Sequence, residues 1–147
     1  MWSRLIYQAG MRSPSMKLIT ILITDDIAQN RSYILQIISN MALNAQIQEA
    51  ADGEIALKLV TAQIAKTGAN FDLIIMDFKM PGINGQQTTT AIRQLEQAAK
   101  LNKQSYIITW SSAMSTPYVG ADDWMPKMVD KSDIMRVLHF VYHSHLS

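Results

Sequence analysis

The chain of 147 residues has no cysteine, which excludes disulfides, thiolate metal sites and a cysteine nucleophile. It has almost no charge imbalance either. A formal net charge of +1 gives no global attraction to nucleic acid, a membrane surface or an acidic partner, so any electrostatic function must be local. No apolar run approaches the ~20 residues needed to cross a bilayer. The leader Met1–Met16 carries Arg4 and Arg12 but lacks the apolar stretch of a secretory signal. Internal repeats and low-complexity tracts are also missing. What is present is 48% hydrophobic and 17% charged, the balance of an ordinary packed core, and the length suits one domain. The expectation is a soluble, cytoplasmic protein with no direct nucleic-acid or membrane partner.

From Lys17 onward short apolar runs alternate with longer segments of helical period. Leu18 to Ile23 is a β-branched block, short enough for a strand buried on both faces. Ile34, Ile37, Ile38 and Met41 recur at helical spacing and predict a helix from about Ala28 to Met41. A weak strand follows at Ala45–Gln48. Asp52-Gly53 opens a second helix with Leu57, Val60 and Ile64 inward, and Gly68-Ala69-Asn70 ends it. Phe71–Met76 is a further buried strand. Pro81-Gly82 suggests a type II turn. Asn84, with Gln87 three residues on, caps a third helix lined by Ile92, Leu95 and Ala99. Tyr106–Trp110 and Trp124-Met125 are the last strands, and Ile134, Val137, Leu138 and Val141 mark a final helix. Such alternation predicts an α/β fold, a doubly wound five-stranded parallel sheet with helices on both faces. Sites in these sheets lie at the carboxyl ends of the strands.

Those ends carry Asp25-Asp26 after the first strand, Asp77 after the third, Ser111-Ser112 after the fourth and Lys127 beyond the fifth. Each has a plain structural explanation. Asp26 can be a helix N-cap, Asp77 can open the Pro-Gly turn, Ser111 can cap a turn and Lys127 can be a solvated loop lysine. If the strands are neighbours, however, three carboxylates, a hydroxyl and an ammonium converge. Carboxylates so close repel one another unless a cation sits between them. A hard divalent ion with oxygen ligands, such as Mg²⁺, suits that donor set, and Lys127 can steady an anionic group.

In four stretches the sequence resembles the receiver domains of bacterial two-component systems, the CheY-like superfamily. They are Ile21-Leu22-Ile23-Thr24-Asp25-Asp26, then Glu49 to Leu57 (EAADGEIAL), then Phe71 to Gly85 (FDLIIMDFKMPGING), then Gly120 to Lys127 (GADDWMPK). The third is the most specific. The resemblance implies a flavodoxin-like fold over residues 17–147 and a phosphoacceptor role. Asp77 would take a phosphoryl group from a histidine kinase or histidine phosphotransfer protein. Mg²⁺ would be held by Asp25, Asp26, Asp77 and the backbone carbonyl of Lys79. Ser111 and Lys127 would bind the phosphoryl oxygens. The resemblance also implies that Trp124 follows the Ser111 hydroxyl inward on phosphorylation. No independent enzyme activity is implied beyond self-phosphorylation and slow self-dephosphorylation, and the downstream protein target is unspecified.

Three departures stand out. Only Ser112 to Val119 separate Ser111 from Gly120, and with Pro117 among them the fourth helix of the family is expected to be shortened or absent. Dimerisation through that helix's face is therefore not carried over. Met128 stands where the family has a proline after the lysine, so the Lys127–Met128 bond is expected to be trans. The leader, with Trp2, Leu5, Ile6 and Ala9 on one helical face, is either a mobile extension or a cover for apolar surface left by the short helix.

His139 and His143, one turn apart and followed by His145, can be solvated or can bind a metal. No DNA-binding domain is expected after the last helix. The competing function is a receiver-like adaptor that signals by contact without phosphorylation. A flavodoxin is disfavoured because Asp25-Asp26 occupies the loop where phosphate would be cradled. A haloacid-dehalogenase phosphatase is disfavoured because the aspartates are adjacent rather than spaced by one residue. Lys79 and Ala113 stand where the family tunes hydrolysis, and neither positions water. The acyl phosphate is expected to persist well beyond seconds in a decay assay, and loss within seconds would contradict this.

Overall fold

A computed structural model of the chain describes residues 17–112 and 116–145. The Met1–Met16 leader and Ala113 lie outside the described residues. The elements are β1 (Ile19–Thr24), α1 (Ala28–Ser39), β2 (Ala45–Ala50), α2 (Gly53–Thr67), β3 (Leu73–Asp77), α3 (Gly85–Ala98), β4 (Tyr106–Trp110), β5 (Asp123–Met125) and α4 (Lys131–Phe140). The chain then continues as a π-turn over Val141–His145. The strands form one parallel sheet in the order β2-β1-β3-β4-β5. Among the described residues no helix is long and apolar enough to cross a membrane.

Strand alternation divides the core into two faces. Ile19, Ile21 and Ile23 of β1, Leu73 and Ile75 of β3, and Ile108 and Trp110 of β4 pack with Ile34 and Ile38 of α1 and Ile134, Val137, Leu138 and Val141 at the C-terminal end. The residues between them (Leu22, Ile74, Met76, Ile107) face the other way, against Ala56 and Val60 of α2 and Ile92 of α3. Because β1, β3 and β4 are buried on both sides, their sequences are dominated by apolar residues, interrupted by Thr20 and Thr24 in β1, Asp77 in β3 and Thr109 in β4.

Local signals decide the element ends. Asn84 and Gln87 form a reciprocal capping box at the start of α3. Asp52 caps α2 by accepting from the Ile55 N–H at 2.8 Å. Gly82 takes φ +80°, the left-handed value that Pro81-Gly82 requires. The inner face of α3 corrects one expectation. Ala99 is exposed at the C-cap, and Glu96 is buried instead. Its carboxylate accepts from Asn70 Nδ2 (2.8 Å), Ser105 N (2.7 Å) and Arg93 (2.9 Å), which supplies the compensation a buried charge needs.

Between β4 and β5 the described residues Ser111–Ser112 and Thr116–Asp122 contain no helix, as the spacing predicted. Helix α3 grips this connection directly. The Gln86 side chain exchanges hydrogen bonds with both Val119 N and Val119 O, each at 3.0 Å. Arg93 donates to Gly120 O (2.8 Å) and to Asp122 Oδ2 (3.0 Å). Tyr118, 3% exposed, fills the apolar surface on that side of the sheet. Its hydroxyl is buried without a partner among the described residues.

Tyr118 therefore acts through its ring. Tyr118→Ala is expected to lower the free energy of unfolding by ~3 kcal/mol in urea denaturation, within the range for deleting a buried aromatic. Tyr118→Phe should match or exceed the parent, because a buried unpartnered hydroxyl is itself a cost. A phenylalanine variant as unstable as the alanine one would mean that the hydroxyl has a structural partner.

Candidate functional site

The site lies at the carboxyl edge of β1, β3 and β4, where the strand order reverses between β1 and β3. Asp25 directly follows β1 and is fully buried. Its Oδ1 accepts from Ile27 N (2.8 Å), and both its oxygens accept from Asn30 Nδ2 at 3.3 and 3.2 Å. Its backbone carbonyl accepts from Arg31 (2.7 Å), which is also bound to Glu49 on β2. Asp26 is exposed and does not cap α1. The N-cap is Ile27, with no side-chain bond.

Asp77 ends β3 and is buried, with Oδ1 accepting from Phe78 N at 2.9 Å. Lys127, two residues beyond β5, crosses the edge and donates to Asp25 Oδ2 (2.5 Å) and Asp77 Oδ1 (2.8 Å). The Lys127–Met128 bond is trans, as expected, and the lysine still enters the site. Ser111 directly follows β4 and is buried, with its N–H donating to Met125 O at 3.4 Å. Lys79 lies in the loop after Asp77 with its side chain exposed.

The carboxylate oxygens of Asp25, Asp26 and Asp77 come within 4.8 Å of one another. One ammonium faces three carboxylates. Burial pushes the Asp77 carboxyl above its usual range, and the charge of Asp25 adds to this; the Lys127 hydrogen bond pulls the other way. A cluster of hard oxygen donors with an uncompensated negative charge fits a divalent cation of the Mg²⁺ type. The residues present fit that ion.

The start of α3 shapes the floor of the site. A Cβ on Gly85 would stand 2.1 Å from the carbonyl oxygen of Asp77, so the helix can cross the end of β3 this closely only at a glycine. This gives the Asn84-Gly85 pair a second reason beyond capping. The Phe78 and Tyr118 rings meet with centroids 5.5 Å apart. Burial and the nearby Asp77 charge push the Tyr118 phenol upward.

Sequence reasoning did not find Asn30, Arg31, Tyr118 or the role of Trp110, whose ring lies under Lys127 Nζ at 4.3 Å. Asn30 and Arg31 carry no apolar signal in the first helix, and both are partly buried. Trp124 is half-buried with its indole N–H unpartnered among the described residues. His139 and His143 sit exposed with ring centroids 4.4 Å apart, on a helix remote in sequence from the acidic cluster.

Comparison with known proteins gives the family and the fold. Residues 21–139 match the model of the response regulator receiver domain. The chain is 28% identical over 120 residues to the nitrate/nitrite response regulator protein NarL of Escherichia coli, covering 82% of this chain and 53% of that protein. It is 27% identical over 123 residues to the sensor histidine kinase GacS of Pseudomonas protegens, covering 80% of this chain and 12% of the kinase. The chain thus spans about half of the first relative and a small part of the second. Among solved structures, chemotaxis protein CheY4 of Vibrio cholerae superposes with a TM-score of 0.66 at 25% identity, over 85% of this chain and 99% of that one. The receiver domain of the histidine kinase CKI1 from Arabidopsis thaliana, solved with Mg²⁺, shares the fold at a TM-score of 0.66 and 24% identity, over 82% of this chain and 91% of that one.

The acidic cluster makes a stability prediction with a definite sign. A carboxyl whose folded pKa is raised contributes stability that is present below its unfolded pKa near 3.8 and lost as pH rises through the folded value. At neutral pH without divalent ions, ionised Asp77 is therefore a destabilising group. Asp77→Asn is expected to melt higher than the parent in chelator at pH 7, with the gap closing below pH 4. Mg²⁺ at about 100 times its dissociation constant should add ~2.7 kcal/mol to the parent and much less to the variant. Equal responses of the two proteins to Mg²⁺ in thermal melts would place the ion elsewhere.

Proposed function

The chain belongs to the response regulator receiver domain family, the signalling domains of two-component systems, and we propose that it is a phosphoacceptor using Asp77. The observation that carries this reading is the meeting of Lys127 with both Asp25 and Asp77 at the edge where the three carboxylates cluster. The donor would be a histidine kinase or a histidine phosphotransfer protein, in line with relatives that are histidine kinases. Residues 17–147 form the receiver in this reading.

In the transfer step a carboxylate oxygen of Asp77 attacks the phosphorus of a phosphohistidine. The new P–O bond forms as the P–N bond breaks, and the imidazole leaves with the electron pair of that bond. Asp25, Asp26, Asp77 and the carbonyl of Lys79 would hold Mg²⁺, which when bound neutralises charge on the phosphoryl oxygens. Lys127 has its ammonium beside Asp77 before transfer, so it needs little displacement to meet the incoming oxygens. Ser111, at the adjacent strand end, supplies a hydroxyl donor to the same group. The protein's contribution is position and charge, not covalent chemistry beyond the one nucleophile. Hydrolysis later returns the carboxylate and releases inorganic phosphate.

Ile27 and Met128 are both exposed and follow Asp26 and Lys127 in sequence. They provide apolar surface at the rim against which a protein donor can rest. Trp124 is proposed to follow Ser111 on phosphorylation and so to carry the signal to the β4–β5 side. A contact-only adaptor is the second reading, favoured by the described residues between β4 and β5, which form no helix.

Intact mass after incubation with acetyl phosphate and Mg²⁺ separates the two. The parent is expected to gain one phosphoryl group only with Mg²⁺, and Asp77→Asn to gain none. No adduct on the parent, with acetyl phosphate or with a panel of kinases, would favour the adaptor.

A further inference from the structure

The ammonium of Lys127 is held from two sides. Asp25 and Asp77 accept its hydrogen bonds, and on another side its Nζ stands 4.3 Å from the centroid of the Trp110 ring. We propose that Trp110 is a positioning residue for phosphoryl transfer, using its indole face to hold Lys127 at Asp77. This rests on the phosphoacceptor reading above.

The placement follows from sheet register. Trp110 pairs with Asp77 across β3 and β4, and with Met125 across β4 and β5. Register partners on parallel strands project to the same side, so the indole and the carboxylate flank one spot at the sheet edge. Lys127 follows Met125 by two residues and turns back into that spot. The ring is 1% exposed, and its N–H is buried without a partner among the described residues. As core filling alone, an aliphatic side chain would occupy this position without leaving a donor unsatisfied. The indole is distinguished by its electron-rich face, which attracts a cation more strongly than other rings, especially away from water.

Lys127 needs such support. It is followed by Met128, 91% exposed, through an ordinary trans bond, so the chain just beyond the lysine is not anchored by that side chain. A four-carbon stem loses considerable rotamer freedom when fixed in one place. The carboxylates alone do not fix it for catalysis, because the phosphoryl group alters the charge at Asp77 during the reaction. A neutral ring is unaltered by that change and keeps the ammonium at the edge as its partner shifts from carboxylate to phosphoryl oxygen.

The test replaces tryptophan with its 5-fluoro, 5,6-difluoro and tetrafluoro forms in a Trp2→Phe, Trp124→Phe background, so that only Trp110 carries the label. Fluorination weakens the ring's attraction for cations with little change of shape. The rate of acyl-phosphate formation from acetyl phosphate at saturating Mg²⁺ is expected to fall stepwise, by about threefold across the series. Trp110→Leu should lose about tenfold, and Trp110→Phe should fall between, on the scale of a desolvated cation–π contact. A second readout is independent of phosphorylation. The Lys127 side-chain methylene next to the ammonium should show an upfield ring-current shift in NMR spectra, abolished in Trp110→Leu. A flat rate across the fluorinated series, with adduct forming normally on unfluorinated protein, would overturn the positioning role. An unshifted Lys127 resonance would overturn the placement itself. Failure of the unfluorinated protein to form any adduct would instead defeat the phosphoacceptor reading, and the positioning role with it.

Discussion

Asp25 is a fully buried carboxylate, and the arrangement of the functional edge follows from the need to satisfy it. An isolated buried charge would cost many kcal/mol or protonate. Here the Ile27 N–H, the Asn30 amide and the Lys127 ammonium all donate to it. Meeting that demand draws the first turn of α1 and the segment after β5 to the same point, although they lie far apart in the chain. The same lysine then serves Asp77. What stabilises one buried acid also gathers three carboxylates around one edge, and the remaining negative charge suits that edge to a divalent cation.

A second constraint is that the described residues between β4 and β5 form no crossover helix. A parallel sheet normally covers both faces with its connections, so removing a helix should leave apolar surface in water. Tyr118 covers part of it with one ring, and Gln86 and Arg93 pin the connection to α3 through backbone groups at Val119 and Gly120. Those bonds also satisfy main-chain groups that a helix would have paired internally. Arg93 extends the network through Glu96 to Asn70 and the start of β4. The connection is therefore fastened beside Asp77, where Tyr118 meets the ring of Phe78.

Much of the fold was legible in the sequence because its signals are local. β1, β3 and β4 appear as short β-branched runs, Asn84 and Gln87 announce a cap three residues apart, and the short interval from Ser111 to Gly120 leaves no room for a full helix. The misassignment at Ala99 has an equally local cause. Helical period marked it as inward, but α3 ends there, and the inward position one turn earlier is held by Glu96. A charged residue gives no apolar signal, and its burial depends on Asn70 and Ser105, which only folding brings near.

The same division applies to the site. Asp25, Asp26, Asp77, Ser111 and Lys127 could be chosen from the sequence because each stands at a strand end, and strand ends follow from periodicity. Asn30, Tyr118 and Trp110 could not. Their roles depend on which way a helix turn faces, on what covers the sheet where the described β4–β5 residues form no helix, and on the register that sets Trp110 beside Asp77. The sequence by itself determined the order of strands and helices and the chemistry placed at their ends, because those depend on neighbours a few residues apart. Only the tertiary structure decided that Lys127 bridges Asp25 and Asp77 against the Trp110 ring, because that contact joins segments whose approach is set by sheet pairing and by the compensation of buried charge.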